Sequence, residues 1–226
     1  MINNYRGVWQ NLIAFVKLFL LLVGIILLEQ ITLVPLTMTI YLKGTLVKIL
    51  LTLLTIGLQI LFVYQVSKVY VRSVWQIKNI TINRLLFIMF FGFVSMFILQ
   101  LASSWLMDIG LVPVTGNQLI LDNLDRHNNL GFYFMVILLA PISEELIFRG
   151  LLINKFIRTF GSSTISKSCA FIFSVVFFAF MHNPETLMCS LPYVLMGVVF
   201  TTVYLKSGNI VVPILVHMCA NLIGIL

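Results

Sequence analysis

The chemistry in this sequence centres on two adjacent glutamates inside an apolar run. Glu144 and Glu145 occur in the stretch APISEELIFRGLL, and Arg149 follows four residues after Glu145. Neighbouring carboxylates in a low dielectric repel each other unless a cation compensates them; on a helix, Glu145 and Arg149 share one face, whereas Glu144 points about 100° away. We therefore predict that Arg149 pairs with Glu145 and leaves Glu144 free to act as a base. Pro141 removes a backbone hydrogen bond at the Ile137 carbonyl and predicts a kink just ahead of the glutamates.

Two histidines are the other ionisable residues within the apolar runs of the C-terminal half. His182 ends the stretch FFAFMH, one helical turn after Phe178, and His217 lies in LVHMCAN, one turn before Asn221. An amide four residues from an imidazole can fix its tautomer or hold a water. A lone histidine in a membrane helix is typical of helix–helix hydrogen bonding. Two histidines together with a glutamate pair indicate a site instead.

These groups fit two mechanisms. Two neutral imidazoles and a carboxylate with an open water position form a known zinc arrangement, so Glu144, His182 and His217 are candidate zinc ligands. Without a metal, a desolvated glutamate can take a proton from water while histidines and an asparagine stabilise the developing oxyanion. The sequence lacks HExxH, which excludes a helix-borne zincin site. It leaves the two mechanisms open.

The elements that carry these residues are predicted to be membrane helices. Hydrophobic residues make up 61% of the 226 residues, charged residues 9%, and the mean hydropathy is +1.10. Soluble domains carry about 25% charged residues, so this composition excludes a water-soluble fold. Because a spanning helix needs about 20 residues, we predict an all-α fold: one membrane domain over residues 1–226, a polytopic bundle of about seven transmembrane helices.

The predicted spans divide the chain into two parts. Residues 1–110 carry little functional signal, whereas residues 131–226 carry the motifs. The seven apolar runs are Asn11–Tyr41, Val47–Val66, Leu85–Leu106, Gly131–Ile153, Cys169–Met181, Leu187–Leu205 and Ile210–Leu226. At about 1.5 Å per residue, these bounds place Glu144 roughly 13 Å from the inner end of its helix and His182 roughly 20 Å from the inner end of its own. The two depths disagree, so we expect the helix bounds to differ from these.

Charges in the linkers predict the orientation. Basic residues concentrate in the second, fourth and sixth linkers and acidic residues in the third and fifth, which puts the N-terminus in the cytoplasm. The first linker, with Lys43 and Lys48, departs from this pattern. Because the basic residues form short clusters rather than one patch, the formal charge of +7 indicates topology and not a nucleic-acid partner.

Three polar features receive structural interpretations. Lys17 is close enough to the inner end of the first helix to snorkel, and Glu29 is predicted to lie near the outer interface. The stretch Gly116–Asn129 is too polar to span and fits a short interfacial helix, in which His127 is a solvated loop histidine. The three cysteines have no metal-site spacing and are interpreted as small buried hydrophobes.

The three motifs together resemble one protease family. EELIFR, FAFMH and HMCAN are similar to the EExxxR, FxxxH and HxxxN/D motifs of the CPBP family of intramembrane proteases, also called the CAAX protease and bacteriocin-processing or Abi family. The resemblance covers about Gly131–Leu226. It implies an all-helical membrane fold with an endopeptidase site open toward the cytosol, and substrates that are prenylated CAAX proteins or secreted peptides. It also implies a bacterial plasma-membrane protein.

The resemblance assigns roles by motif position. Glu144 would activate water, Glu145 and Arg149 would support it, and His182, His217 and Asn221 would bind the water, a metal or the oxyanion. Two other functions stay open: a bacteriocin-immunity or interaction protein that needs no turnover, and a transporter that uses the charges as a proton or ion relay. The sequence shows no paired inverted repeat of the kind that many transporters have.

Overall fold

The computed structural model describes residues 7–73, 80–114, 116, 118–119, 130–182 and 184–225. The predicted interfacial helix, apart from Gly116, Gln118 and Leu119, lies outside these residues, and so does His127. The described part of the chain forms seven helical segments. The first three are α1 (Val8–Met38), α2 (Thr45–Ser73) and α3 (Ile82–Asp108).

The fourth segment is a composite helix over residues 130–160, in which α-helix alternates with π-helix. Its parts follow one another without a break: α4 (Leu130–Phe134), a π turn (Met135–Leu139), α5 (Ala140–Glu145), a second π turn (Leu146–Ile153) and α6 (Asn154–Phe160). The last three segments are α7 (Thr164–Met181), α8 (Leu187–Ser207) and α9 (Val211–Ile225).

Length and composition make five of these helices suitable for crossing a membrane. These are α1, α2, α3, α7 and α8, and α9 is a shorter apolar helix. The predicted all-α membrane bundle is thus confirmed. The composite helix lies at the centre of the bundle, where it contacts α1, α2, α7, α8 and α9. All eight residues of its second π turn are buried.

The predicted inner ends of two helices were wrong, and their correction removes the disagreement in depth. The composite helix continues to Phe160 rather than ending at Ile153, and α7 begins at Thr164 rather than Cys169. Measured along the helices from these ends, Glu144 lies roughly 24 Å away and His182 roughly 27 Å away at 1.5 Å per residue. The two residues therefore lie at similar depth.

Two contacts near helix ends support the alternating arrangement of the helices. Nη1 of Arg158 donates to the backbone carbonyl of Arg72 (2.9 Å), which joins the end of α2 to the end of the composite helix. The backbone N–H of Gly116 donates to Oε1 of Glu185 (2.8 Å), which joins the third linker to the fifth. Backbone hydrogen bonds to the charged form lower the pKa of Glu185.

Candidate active site

The glutamates stand just after the first π turn of the composite helix, where the backbone pattern is altered by Pro141. The N–H of Ala140 donates to the carbonyl of Met135, five residues back. The carbonyl of Val136 would by the same pattern receive the N–H of residue 141, which proline lacks. Nδ2 of Asn221 donates to Val136 O instead (2.8 Å). The predicted distortion ahead of the glutamates is therefore a π turn, a feature frequent at functional sites, and α9 supplies the missing donor.

Glu145 and Arg149 form the predicted ion pair, and both side chains are 0% exposed. Nη1 of Arg149 lies 3.0 Å from Oε1 of Glu145, and Nη2 donates to the backbone carbonyl of Gly197 at 3.2 Å. Nε donates to Oγ1 of Thr201 at 3.3 Å. The contacts from α8 hold the guanidinium, and with it Glu145, in a fixed position. Removing one partner of the pair would leave an uncompensated buried charge.

His217 connects the ion pair to the second glutamate. Its Nδ1 lies 2.9 Å from Oε1 of Glu145, and its Nε2 lies 3.9 Å from Oε2 of Glu144. An ionised carboxylate only accepts hydrogen bonds, so Nδ1 carries the proton and Nε2 presents a lone pair toward Glu144. The tautomer of His217 is thus set by Glu145, and not by Asn221 as the spacing had suggested.

His182 is held in the same way by a different acceptor. Its Nδ1 donates to the backbone carbonyl of Phe178 (2.8 Å), and its ring stacks on Tyr193 with centroids 4.2 Å apart. Phe178 is fully buried at the centre of the cluster, 4.7 Å from the His182 ring and 5.9 Å from the His217 ring by centroid. The Arg149 guanidinium lies 4.5 Å from the centroid of the same ring. Phe178 therefore packs against three of the motif residues at once.

The two adjacent glutamates differ in access and in partners. The Glu144 side chain is 21% exposed, whereas Glu145 is 0% exposed. Oε2 of Glu144 has no hydrogen-bond partner among the described residues, although the atom itself is enclosed. This carboxylate oxygen and the imidazole lone pair 3.9 Å away are two neighbouring acceptors, which match the two O–H donors of one water molecule.

The donor chemistry of the candidate metal ligands suits an ion, but their positions do not. In metal-ligating histidines the second ring nitrogen is commonly held by a carboxylate or a carbonyl, as it is in both histidines here. Across the described ranges, however, no three His, Cys, Asp or Glu side chains lie close enough together to hold a metal ion. The arrangement of Glu144, His182 and His217 therefore does not fit a three-ligand site, and zinc binding stays a prediction.

Glu29 is a neighbour of the site that the sequence analysis did not include among the site residues. It is 5% exposed, and its Oε1 is hydrogen-bonded to Oγ of Ser143, the residue before Glu144. Its side chain therefore contacts the composite helix inside the bundle, and its location near the outer interface stays a prediction. An acidic residue within a spanning helix is itself a signal of function, but no local pattern indicates which helix α1 contacts. Thr201 and Gly197, which contact Arg149, carry no such signal.

Comparisons with known proteins point to one family. Residues 126–223 match the profile of the family described as type II CAAX prenyl endopeptidase Rce1-like. The UPF0177 protein YxdF of Lactococcus lactis is 32% identical over 125 residues, which are 55% of this chain and 60% of that protein. The UPF0177 protein YvdC of the same organism is 30% identical over 135 residues, 59% of this chain and 49% of that protein.

One further relative is described as a protease. The membrane-embedded CAAX protease MroQ of Staphylococcus aureus is 27% identical over 136 residues, which are 58% of this chain and 53% of that protein. The chain thus spans about half the length of the curated relatives it matches. No solved structure is significantly similar to it. The family resemblance drawn from the three motifs is confirmed by the profile and by this relative.

Proposed function

Because residues 126–223 match the profile of the type II CAAX prenyl endopeptidase Rce1-like family, we propose that this protein is an intramembrane endopeptidase. Its substrate is a membrane-associated, lipidated or secreted peptide. The observation that carries the proposal is the pair formed by Oε2 of Glu144, which has no hydrogen-bond partner among the described residues, and Nε2 of His217, 3.9 Å away. We assign the protein to a bacterial plasma membrane with the N-terminus in the cytoplasm, because the similar proteins come from bacteria and one of them is described as membrane-embedded.

The proposed reaction uses water held between Glu144 and His217. Glu144 takes one proton of the water, while Nε2 of His217 accepts a hydrogen bond from the other O–H and orients it. The resulting hydroxide adds to the carbonyl carbon of the scissile peptide bond. The C–N bond then breaks, and the proton held by Glu144 passes to the leaving amine. Glu144 acts first as the base and then as the acid, so no step requires a second base. Glu145 and Arg149 keep each other ionised and in place.

The remaining motif residues support this reaction in the proposal. Asn221 has a second amide N–H besides the one given to Val136, and this donor is assigned to the oxyanion of the tetrahedral intermediate. The Nδ1 of His182 is held by the carbonyl of Phe178, so its Nε2 is a second hydrogen-bond acceptor besides Nε2 of His217. A preorganised donor of the oxyanion type is worth about 10²–10³ in rate.

The test is cleavage of a peptide library by the protein purified in detergent. We expect Glu144→Gln and His217→Ala to lower the cleavage rate by about 10² or more, the range for a positioned general base. Glu185→Gln is the matched control, because that carboxylate lies in an exposed linker and should leave cleavage unchanged. Full cleavage by Glu144→Gln would reject the mechanism.

Zinc quantified in the same samples separates the two mechanisms that the sequence left open. Stoichiometric zinc in the wild type that is lost with His217→Ala would establish a metal mechanism and contradict the water geometry proposed above. Protein that stays folded and fully functional in cells when Glu144 is replaced would instead favour an immunity or interaction role.

A further inference from the structure

A third carboxyl group reaches the site from a helix that lies outside the matched family region. Glu29 belongs to α1, more than one hundred residues before Ser143, and the two side chains form a buried hydrogen bond. Ser143 is 0% exposed and directly precedes Glu144 in α5. The N-terminal half of the chain therefore contacts the backbone turn that carries the proposed base.

The hydrogen bonds of Ser143 indicate which group donates. Oγ of Ser143 contacts Oε1 of Glu29 and also lies 3.0 Å from the backbone carbonyl of Ala140. A serine hydroxyl has one proton, and a carbonyl oxygen can only accept. If that proton goes to Ala140 O, the contact with Glu29 requires a proton on the Glu29 carboxyl group. Each of the two hydrogen bonds of Ser143 Oγ, to Ala140 and to Glu29, then has its own proton.

The balance of charge around Ser143 leads to the same state. Arg149 is the guanidinium of the site, and its ion pair is with Glu145. Glu29, at 5% exposure, has the Ser143 hydroxyl as its side-chain partner rather than a cation. An ionised carboxylate buried without a cation is costly at membrane depth. A neutral carboxylic acid that donates to Ser143 avoids this cost.

We propose that Glu29 is a positioning residue: its carboxylic acid group donates to Ser143 Oγ and so fixes the turn that presents Glu144. The proposal rests on the proposed function for its effect on catalysis. Its structural support continues along α1, where Oγ1 of Thr32 contacts the Glu29 carbonyl (2.6 Å) and the Gln59 side-chain amide of α2 (2.9 Å). These contacts hold the Glu29 segment against both α2 and the composite helix.

The first test compares two replacements of Glu29 with a neighbouring control. Glu29→Gln is neutral and still donates to Ser143, so its kcat should stay within about threefold of wild type. Glu29→Leu cannot donate, so we expect kcat to fall about tenfold or more with little change in KM, the effect of losing roughly 1.4 kcal/mol of positioning. Gln30→Leu removes an exposed polar group at the adjacent position of α1 and should change neither constant. Equal kcat values for Glu29→Leu and wild type would overturn the proposal, as would equal losses in the Gln and Leu variants.

The second test does not depend on cleavage. Infrared spectra of the protein in dodecyl maltoside, a detergent without a carbonyl group, should contain a carboxylic acid C=O band that disappears in Glu29→Gln. The same band should shift in Ser143→Ala, because its hydrogen-bond partner is removed. A wild-type spectrum identical to that of Glu29→Gln would overturn the assignment of Glu29. If the wild type cleaves no peptide, the proposed function fails, and the infrared band still decides whether Glu29 is the acid bonded to Ser143.

Discussion

The N-terminal and C-terminal halves of the bundle both consist of apolar helices but differ in how much of their apolar surface is buried. In the most apolar stretch of α3, 11% of the residues are buried inside the protein, compared with 39% in α8. Buried residues in α3 are confined to Gly92 and Met96, whereas every residue of the second π turn is buried. The apolar residues of the first half mainly face lipid, and those of the second half mainly face other helices.

This difference separates two uses of hydrophobic residues in a membrane. Lipid tails are as apolar as leucine, so apolar composition alone brings no helices together; close packing and polar contacts do. The composite helix has both, in the Arg149 contacts with α8 and in the Asn221 contact with the first π turn. Glu29, a buried polar residue of α1, is one of the residues that connect the two halves.

The largest expected difference between the halves is in the response to removing a cation. Arg149→Met leaves Glu145 buried without its partner, which should destabilise the protein by about 3–5 kcal/mol. Lys17→Met removes an exposed cation of α1 and should change stability by less than about 0.5 kcal/mol. Unfolding in a denaturing detergent titration measures both. Similar midpoints for the two variants would contradict the comparison.

A smaller difference is expected for leucine in the two environments. Leu151 is 0% exposed in the second π turn, and Leu101 of α3 is 57% exposed. Leu151→Ala creates a cavity and should destabilise by about 2–3 kcal/mol, the lower part of the range for cores because the unfolded reference is itself in lipid. Leu101→Ala should have almost no effect in the same titration. A large loss with Leu101→Ala would mean that α3 is packed by a partner such as a second copy.

The smallest effect in this series concerns two helical glycines. A Cβ at Gly197 would lie 3.3 Å from the Cα of Val175 and 3.4 Å from the Phe178 ring, whereas a Cβ at Gly24 has no atom within 4 Å. Gly197→Ala should therefore destabilise the protein by about 1–2 kcal/mol, because the added methyl group separates α7 from α8. It should also lower the cleavage rate, because it moves the Gly197 carbonyl that accepts a hydrogen bond from Arg149. Gly24→Ala should be neutral or slightly stabilising, since alanine is the better helix former. Equal melting temperatures for these two variants would show that α7 and α8 adapt without cost.

Much of the fold and of the site followed from local pattern. The length of each apolar run predicted the helices, because a membrane requires about 20 apolar residues per span. The four-residue spacing of Glu145 and Arg149 predicted their ion pair, since helical periodicity puts them on one face. The motifs near Glu144, His182 and His217 were sufficient to predict the family resemblance that the profile match over residues 126–223 supports.

Tertiary structure determined which side chains meet across helices, which no local sequence pattern encodes. The proline at position 141 predicted a kink, but only the approach of α9 showed that Asn221 would supply the missing donor. The partner of His217 proved to be Glu145, 72 positions away, rather than an amide on its own helix. The face of α1 that carries Glu29 turns toward Ser143 because of packing among three helices. A sequence fixes which residues share a face of one helix; which faces meet depends on the fit of side chains between helices, and that exists only in the assembled bundle.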